Sequence, residues 1–131
     1  MYSQQLLEHF ENPRNVGEIE NADGIGKVTN PACGDLMNLY LKVQEGKIYE
    51  AKFKTYGCPA AIASGSVATE MLRGKTLEEA LKISREDINQ ALGGLEPAAL
   101  HSSFLAEEAI QAAIENYRAK GKGQDMISPL S

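Results

Sequence analysis

Cysteine is scarce in this chain: Cys33 and Cys58 are the only two among 131 residues. Two are too few for a disulfide scaffold, and a chain of this length buries a core without covalent staples. No export signal is legible either. The opening MYSQQLLEHF has no basic segment leading into an apolar stretch, and its acidic residues do not suit an organelle presequence. The expectation is a cytoplasmic, reducing setting in which both cysteines are thiols. Long apolar runs are missing as well, and none approaches the ~20 residues of a membrane span. Positive charge is in deficit, with 13 Lys+Arg against 18 Asp+Glu and a net charge of −5. That balance argues against the basic stripe of a nucleic-acid surface and against docking on an anionic membrane. Repeats and low-complexity blocks are absent.

What is present is ordinary for a soluble globular protein: 43% hydrophobic and 24% charged residues, the composition of a single domain over 1–131. Leu6, Leu7 and Phe10 at helical spacing predict a helix from about Ser3 to Glu11, stopped by Asn12-Pro13. A Gly-rich loop follows, then a strand near Ile25 to Thr29. Met37, Leu39, Leu41 and Val43 alternate with polar residues, as do Tyr49, Ala51, Phe53 and Thr55, with Glu45-Gly46 between the two runs. This pattern reads as an antiparallel hairpin. Pro59 suits a first helical position, and Ala60 to Arg73 is helical in composition, with Gly65 a weak spot and small neighbours that permit close approach. Thr76 to Glu79 is a capping-box pattern, and Ser84 opens another short helix. Gly93-Gly94 and Pro97 keep the chain non-helical until a last helix begins near Ser103, with Leu105, Ala109, Ile110, Ala113, Ile114 and Tyr117 as its buried stripe. Gly121 to Ser131 reads as a flexible tail. Strands grouped before helices indicate an α+β domain.

Chemistry-bearing residues fall at element ends. Cys33 and Asp35 lie in Asn30-Pro31-Ala32-Cys33-Gly34-Asp35, Cys58 precedes Pro59, and His101 with Ser102 precedes the last helix. Loop ends are where a scaffold presents ligands. Cys58 is the most informative, because an N-cap position favours a thiolate, and a thiolate is a soft ligand for iron or zinc. Each residue also has a plain structural reading: Cys58 as a packed thiol, Asp35 as a turn residue, His101 as a helix-entry residue bonded to a carbonyl, Ser102 and Ser103 as caps. His9 falls on the polar side of the first helix and receives no role. Gly24 and Gly26 lack the Gly-Lys-Ser/Thr that a phosphate loop requires. Cys33 and Cys58 are far from Cys-x-x-Cys spacing, so sequence distance alone leaves the metal reading open.

Longer motifs carry a resemblance. Glu11-Asn12-Pro13-Arg14-Asn15-Val16-Gly17, the Asn30–Asp35 segment, Lys54-Thr55-Tyr56-Gly57-Cys58, Ala60 to Glu70, Gly74 to Ala80 and His101 to Ile110 together resemble the IscU/NifU-type iron–sulfur cluster scaffold proteins over nearly the whole chain. The resemblance implies a small three-stranded antiparallel sheet with helices packed on one face. It implies a ligand set at one exposed tip: Cys33, Asp35, Cys58 and His101 for the metal, with position 102 as a third cysteine. Here that residue is Ser102, which cannot form a persulfide and is a poor ligand for a soft metal. The implied function is assembly of a 2Fe–2S cluster and its transfer, without catalysis. The implied partners are a cysteine desulfurase, iron or electron donor proteins and recipient apo-proteins, with a homodimer sharing a cluster as a further expectation. The alternative in the same pathway is a zinc-dependent sulfur acceptor; that branch carries an insertion after the second cysteine position, which this chain lacks. The Leu-Pro-Pro-Val-Lys segment by which some members bind a chaperone reads Leu95-Glu96-Pro97-Ala98-Ala99 here.

Overall fold

A computed structural model describes residues 3–30, 34–95 and 97–127, with side chains other than those of 98 and 121–127. Cys33 therefore lies outside the described residues. The elements run α1 (Gln4–Glu11), β1 (Gly24–Thr29), β2 (Leu36–Gln44), β3 (Lys47–Tyr56), α2 (Pro59–Leu72), α3 (Leu77–Leu81), α4 (Arg85–Ala91), a 3-10 turn (Pro97–Ala99) and α5 (Leu100–Ile127). The three strands form one antiparallel sheet in the order β1-β2-β3. Helices α2 and α5 cover one face of it, and α1 lies against α2. The α+β arrangement expected from the sequence is the one observed.

The alternation in β2 sends Met37, Leu39 and Leu41 into the core, while Asn38 and Lys42 take the opposite face, as a period of two requires. Glu45 and Gly46 both have left-handed backbone (φ 54° and 77°), which makes a two-residue turn whose twist matches the hairpin. In β3 the expectation fails at one position. Lys42 pairs with Glu50 but Val43 pairs with Ile48, so Tyr49 is an extra, bulged residue. The bulge reverses the parity: Ile48 is fully buried and Tyr49 is 47% exposed, where simple alternation puts Tyr49 inside.

The sheet edges are closed by named bonds. The outer side of β3 meets Asn15 and Gly17 at Phe53, and Gly74 and Lys75 at Ile48, all through backbone bonds of 2.7–2.9 Å. On β1, Ile25 N–H donates to Asn116 Oδ1 on α5 at 3.0 Å. Such cover removes the open edge on which strands aggregate. Gly24 and Gly26 serve packing: a Cβ on either would stand 2.5 Å from a backbone carbonyl of α5. Gly65, far from being a defect in α2, leaves room for the Phe53 ring, which a Cβ there would meet at 2.4 Å.

The helix ends match their signals, with capping boxes Thr76/Glu79 and Ser84/Asp87 in place. Two helical expectations need correction. The last helix begins at Leu100, not near Ser103, because Pro97 opens a 3-10 turn that runs directly into α5. Ser103 is accordingly no cap; its hydroxyl donates to Leu100 O at 3.0 Å from inside the first turn. At the other end α5 runs to Ile127, past Gly121.

Candidate metal centre

Three remote segments meet at the end of the sheet where β2 begins and β3 ends. Gly34 has φ 79° and its N–H donates to Asn30 O at 2.7 Å, while Asn30 N–H donates to Asp35 O at 2.8 Å. These bonds bring Asp35 to the start of β2, where it is only 8% exposed. Cys58 is the N-cap of α2, with extended backbone and Pro59 at the first helical position. Its carbonyl accepts from Ala61 and Ile62, and its side chain makes no capping bond, so the sulfur is left to the site. His101 enters from the first turn of α5.

The donor atoms are close. His101 Nε2 lies 3.1 Å from Asp35 Oδ2, and Cys58 Sγ lies 3.8 Å from the same oxygen. One ligand atom from each of Asp35, Cys58 and His101 falls within 4.8 Å of the others. Asp35 is the hub: one carboxylate oxygen faces both a thiol and an imidazole. The set mixes a soft sulfur, a hard oxygen and a borderline nitrogen, which suits a transition metal rather than calcium or magnesium.

Ser102 is also in place, with Oγ 3.5 Å from Cys58 Sγ. It is fully buried. The implied exposed tip is thus corrected: Asp35 and Ser102 are inside, and Cys58 and His101 are half-buried. Close to these ligands along the chain, Tyr56, Leu100 and Phe104 are 65%, 42% and 40% exposed. A groove of about 310 Å³ beside His101 carries Arg85 stacked 4.1 Å over the Phe104 ring, a contact that no sequence period announces. A concavity of about 690 Å³ lies by the β2–β3 turn at the other end of the hairpin and is lined by none of these ligands.

His9 is a further correction. Its side chain is largely buried against α2, with Nδ1 2.8 Å from Ser66 Oγ and Nε2 3.8 Å from Glu70. Burial, with the Arg14 charge beside it, holds the His9 imidazole below its ordinary pKa.

A small α+β domain that gathers a thiol, a carboxylate and an imidazole at one sheet end presents a candidate metal site. Residues 1–124 match the NifU-like N-terminal domain family, and the chain belongs to that family. It is 54% identical over 130 residues to the iron–sulfur cluster assembly scaffold protein IscU 1 of Archaeoglobus fulgidus, covering 99% of this chain and 85% of that one. It is 52% identical over 123 residues to the IscU scaffold protein of Escherichia coli K12, covering 91% and 95%. The Drosophila melanogaster relative, 52% identical over 92% of this chain and 80% of its own, is named an iron–sulfur cluster assembly enzyme. Among solved structures, the N-terminal NifU-like protein of Brucella abortus shares the fold, with a TM-score of 0.75 at 21% identity over 90% of this chain and 94% of its own. A SUF-system scaffold protein described as putative, from Fervidobacterium islandicum, aligns with a TM-score of 0.61 at 25% identity over the same shares.

Proposed function

We propose that this protein is a cytoplasmic scaffold on which a 2Fe–2S cluster is built as cargo and from which it is handed on. Sulfur would come from a cysteine desulfurase, iron and electrons from donor proteins, and the cluster would go to recipient apo-proteins. Cys33, Asp35, Cys58 and His101 form the ligand set. One observation carries the reading: Asp35, Cys58 and His101, from three distant segments, present sulfur, oxygen and nitrogen within 4.8 Å. Thiolates hold iron firmly, whereas carboxylate and imidazole positions exchange more readily, and a carrier must release what it holds. Family membership and the relatives' names support the same assignment. The protein's part is to hold and release rather than to turn over a substrate. Ser102 takes no share in sulfur capture, because an alcohol does not form a persulfide.

Anaerobic reconstitution with iron and sulfide tests this. The expected product is coloured, with sulfide-to-iron charge-transfer absorption and two irons per cluster by elemental analysis. A colourless protein with its fold intact overturns the reading. A colourless protein that retains one zinc per chain points instead to the zinc-dependent sulfur acceptor.

A further inference from the structure

Gly57 stands between the exposed Tyr56 and the half-buried Cys58, and its backbone is not left-handed. A left-handed backbone therefore does not demand glycine here. What demands it is Asp35. A Cβ built on Gly57 would lie 2.7 Å from Asp35 Cγ and 2.9 Å from each carboxylate oxygen. All three are well inside contact distance. The carboxylate thus lies directly on the bare Cα of Gly57, and this seat places Oδ2 3.1 Å from His101 Nε2 and 3.8 Å from Cys58 Sγ.

We infer that Gly57 is a positioning residue for the metal site: its missing side chain is the space in which the Asp35 carboxylate is held toward Cys58 and His101. The inference rests on the metal-site reading above. When a methyl group is added, something must give way. The backbone of Gly57 is tied into the end of β3 and the entry to α2. The Asp35 carboxylate is the free end of a short side chain with two torsions, so it is the group that swings out. The added methyl then acts on the site rather than on the fold, and it acts only while Asp35 has a carboxylate to displace.

The test is a four-protein cycle: the parent, Gly57→Ala, Asp35→Ala and the double variant. Each is titrated anaerobically with Co²⁺ and followed by its ligand-field and thiolate charge-transfer bands, with thermal unfolding measured alongside. Gly57→Ala is expected to weaken Co²⁺ binding about 10–100-fold, the usual cost of disturbing a group that orients a ligand, and to move the ligand-field bands toward those of Asp35→Ala. In the Asp35→Ala background the same change is expected to have no further effect. Parent-like Co²⁺ binding by Gly57→Ala overturns the inference while leaving the metal site standing. So does an equal loss in both backgrounds, since Gly57 would then act without Asp35. If the parent and Asp35→Ala bind Co²⁺ alike, Asp35 is no ligand and this inference falls alone; if the parent binds no Co²⁺, the metal-site reading falls and takes this inference with it. If Gly57→Ala alone unfolds, the double variant decides: with the carboxylate removed the methyl has room, so it must regain the unfolding midpoint of Asp35→Ala, and failure to do so refutes the steric assignment.

Discussion

Asp35 is the residue through which a bound cluster would most readily be opened. Its carboxylate is the hard ligand beside soft sulfur, and one oxygen faces both Cys58 and His101. A proton or an incoming thiolate competes more easily for that position than for a cysteine. Asp35→Ala closes this route, and the reconstituted cluster is expected to live several-fold longer and to transfer more slowly to an acceptor. If Asp35 were only a turn residue, its loss would cost about 0.5–2 kcal/mol of fold stability, on the scale of a lost cap, with no gain in cluster lifetime. Decay of visible absorption under one chelator challenge, with thermal unfolding as control, separates these outcomes. A mutant cluster that decays as fast as the parent's defeats the lability role.

Helix α1 shows how an element is tied down by one side chain. Arg14 N–H donates to Ser66 Oγ at 3.0 Å, His9 Nδ1 lies 2.8 Å from that oxygen, and Arg14 Nη1, which can only donate, lies 3.2 Å from the same imidazole nitrogen. His9 therefore sits there as the neutral acceptor. Arg14 opposes its protonation, while Glu70 and Glu8 favour it less strongly than burial and Arg14 oppose it. A depressed histidine pKa means that the unfolded chain binds more protons in the mildly acid range. The stabilisation is complete above the ordinary histidine value of about 6.5 and is lost as pH falls through the lower folded value. Glu8, held below the usual carboxylate range by its bond to Arg14, acts only at more acid pH. Thermal unfolding of the parent should therefore drop on acidification below about pH 6.5, and His9→Gln should lose part of that slope, with His101 common to both proteins. Parallel pH profiles would refute the assignment. None of this was legible in sequence, because α1 meets α2 only in the folded chain. Period and caps locate each α-helix and strand among the described residues, since those signals are local. The Tyr49 bulge breaks a period of two without a local mark, and Pro97, which the sequence suggests keeps the chain non-helical, starts a 3-10 turn. Cys58, Asp35 and His101 were visible singly, each with a plain structural reading beside it. Their meeting depends on the antiparallel register and on the entry of α5, neither of which sequence spacing encodes.

At the scale of the whole molecule, the proposed site has two thiolates, Cys33 and Cys58, where the family pattern has three. Iron in a 2Fe–2S cluster is tetrahedral, and such clusters are ordinarily held by four thiolates or by thiolates with imidazole. With Asp35 exchangeable, the parent chain is expected to hold a cluster loosely, and two chains meeting at their sites are expected to hold it better. The exposed Tyr56, Leu100 and Phe104, close to the ligands along the chain, offer apolar surface for such a meeting. Ser102 sits where the third sulfur would act: it is buried, and its Oγ is 3.5 Å from Cys58 Sγ. Ser102→Cys adds one atom-for-atom replacement at that point and needs no backbone change. Two results are expected together. The variant should accept sulfur from a cysteine desulfurase as a persulfide, where the parent gains little, read by mass spectrometry of the intact chain. Its cluster should also sediment with one chain, where the parent's cluster sediments with two. Equal persulfide loading of both proteins would assign sulfur capture to Cys33 or Cys58. An unchanged two-chain complex in the variant would show that association depends on this apolar surface rather than on the missing thiolate.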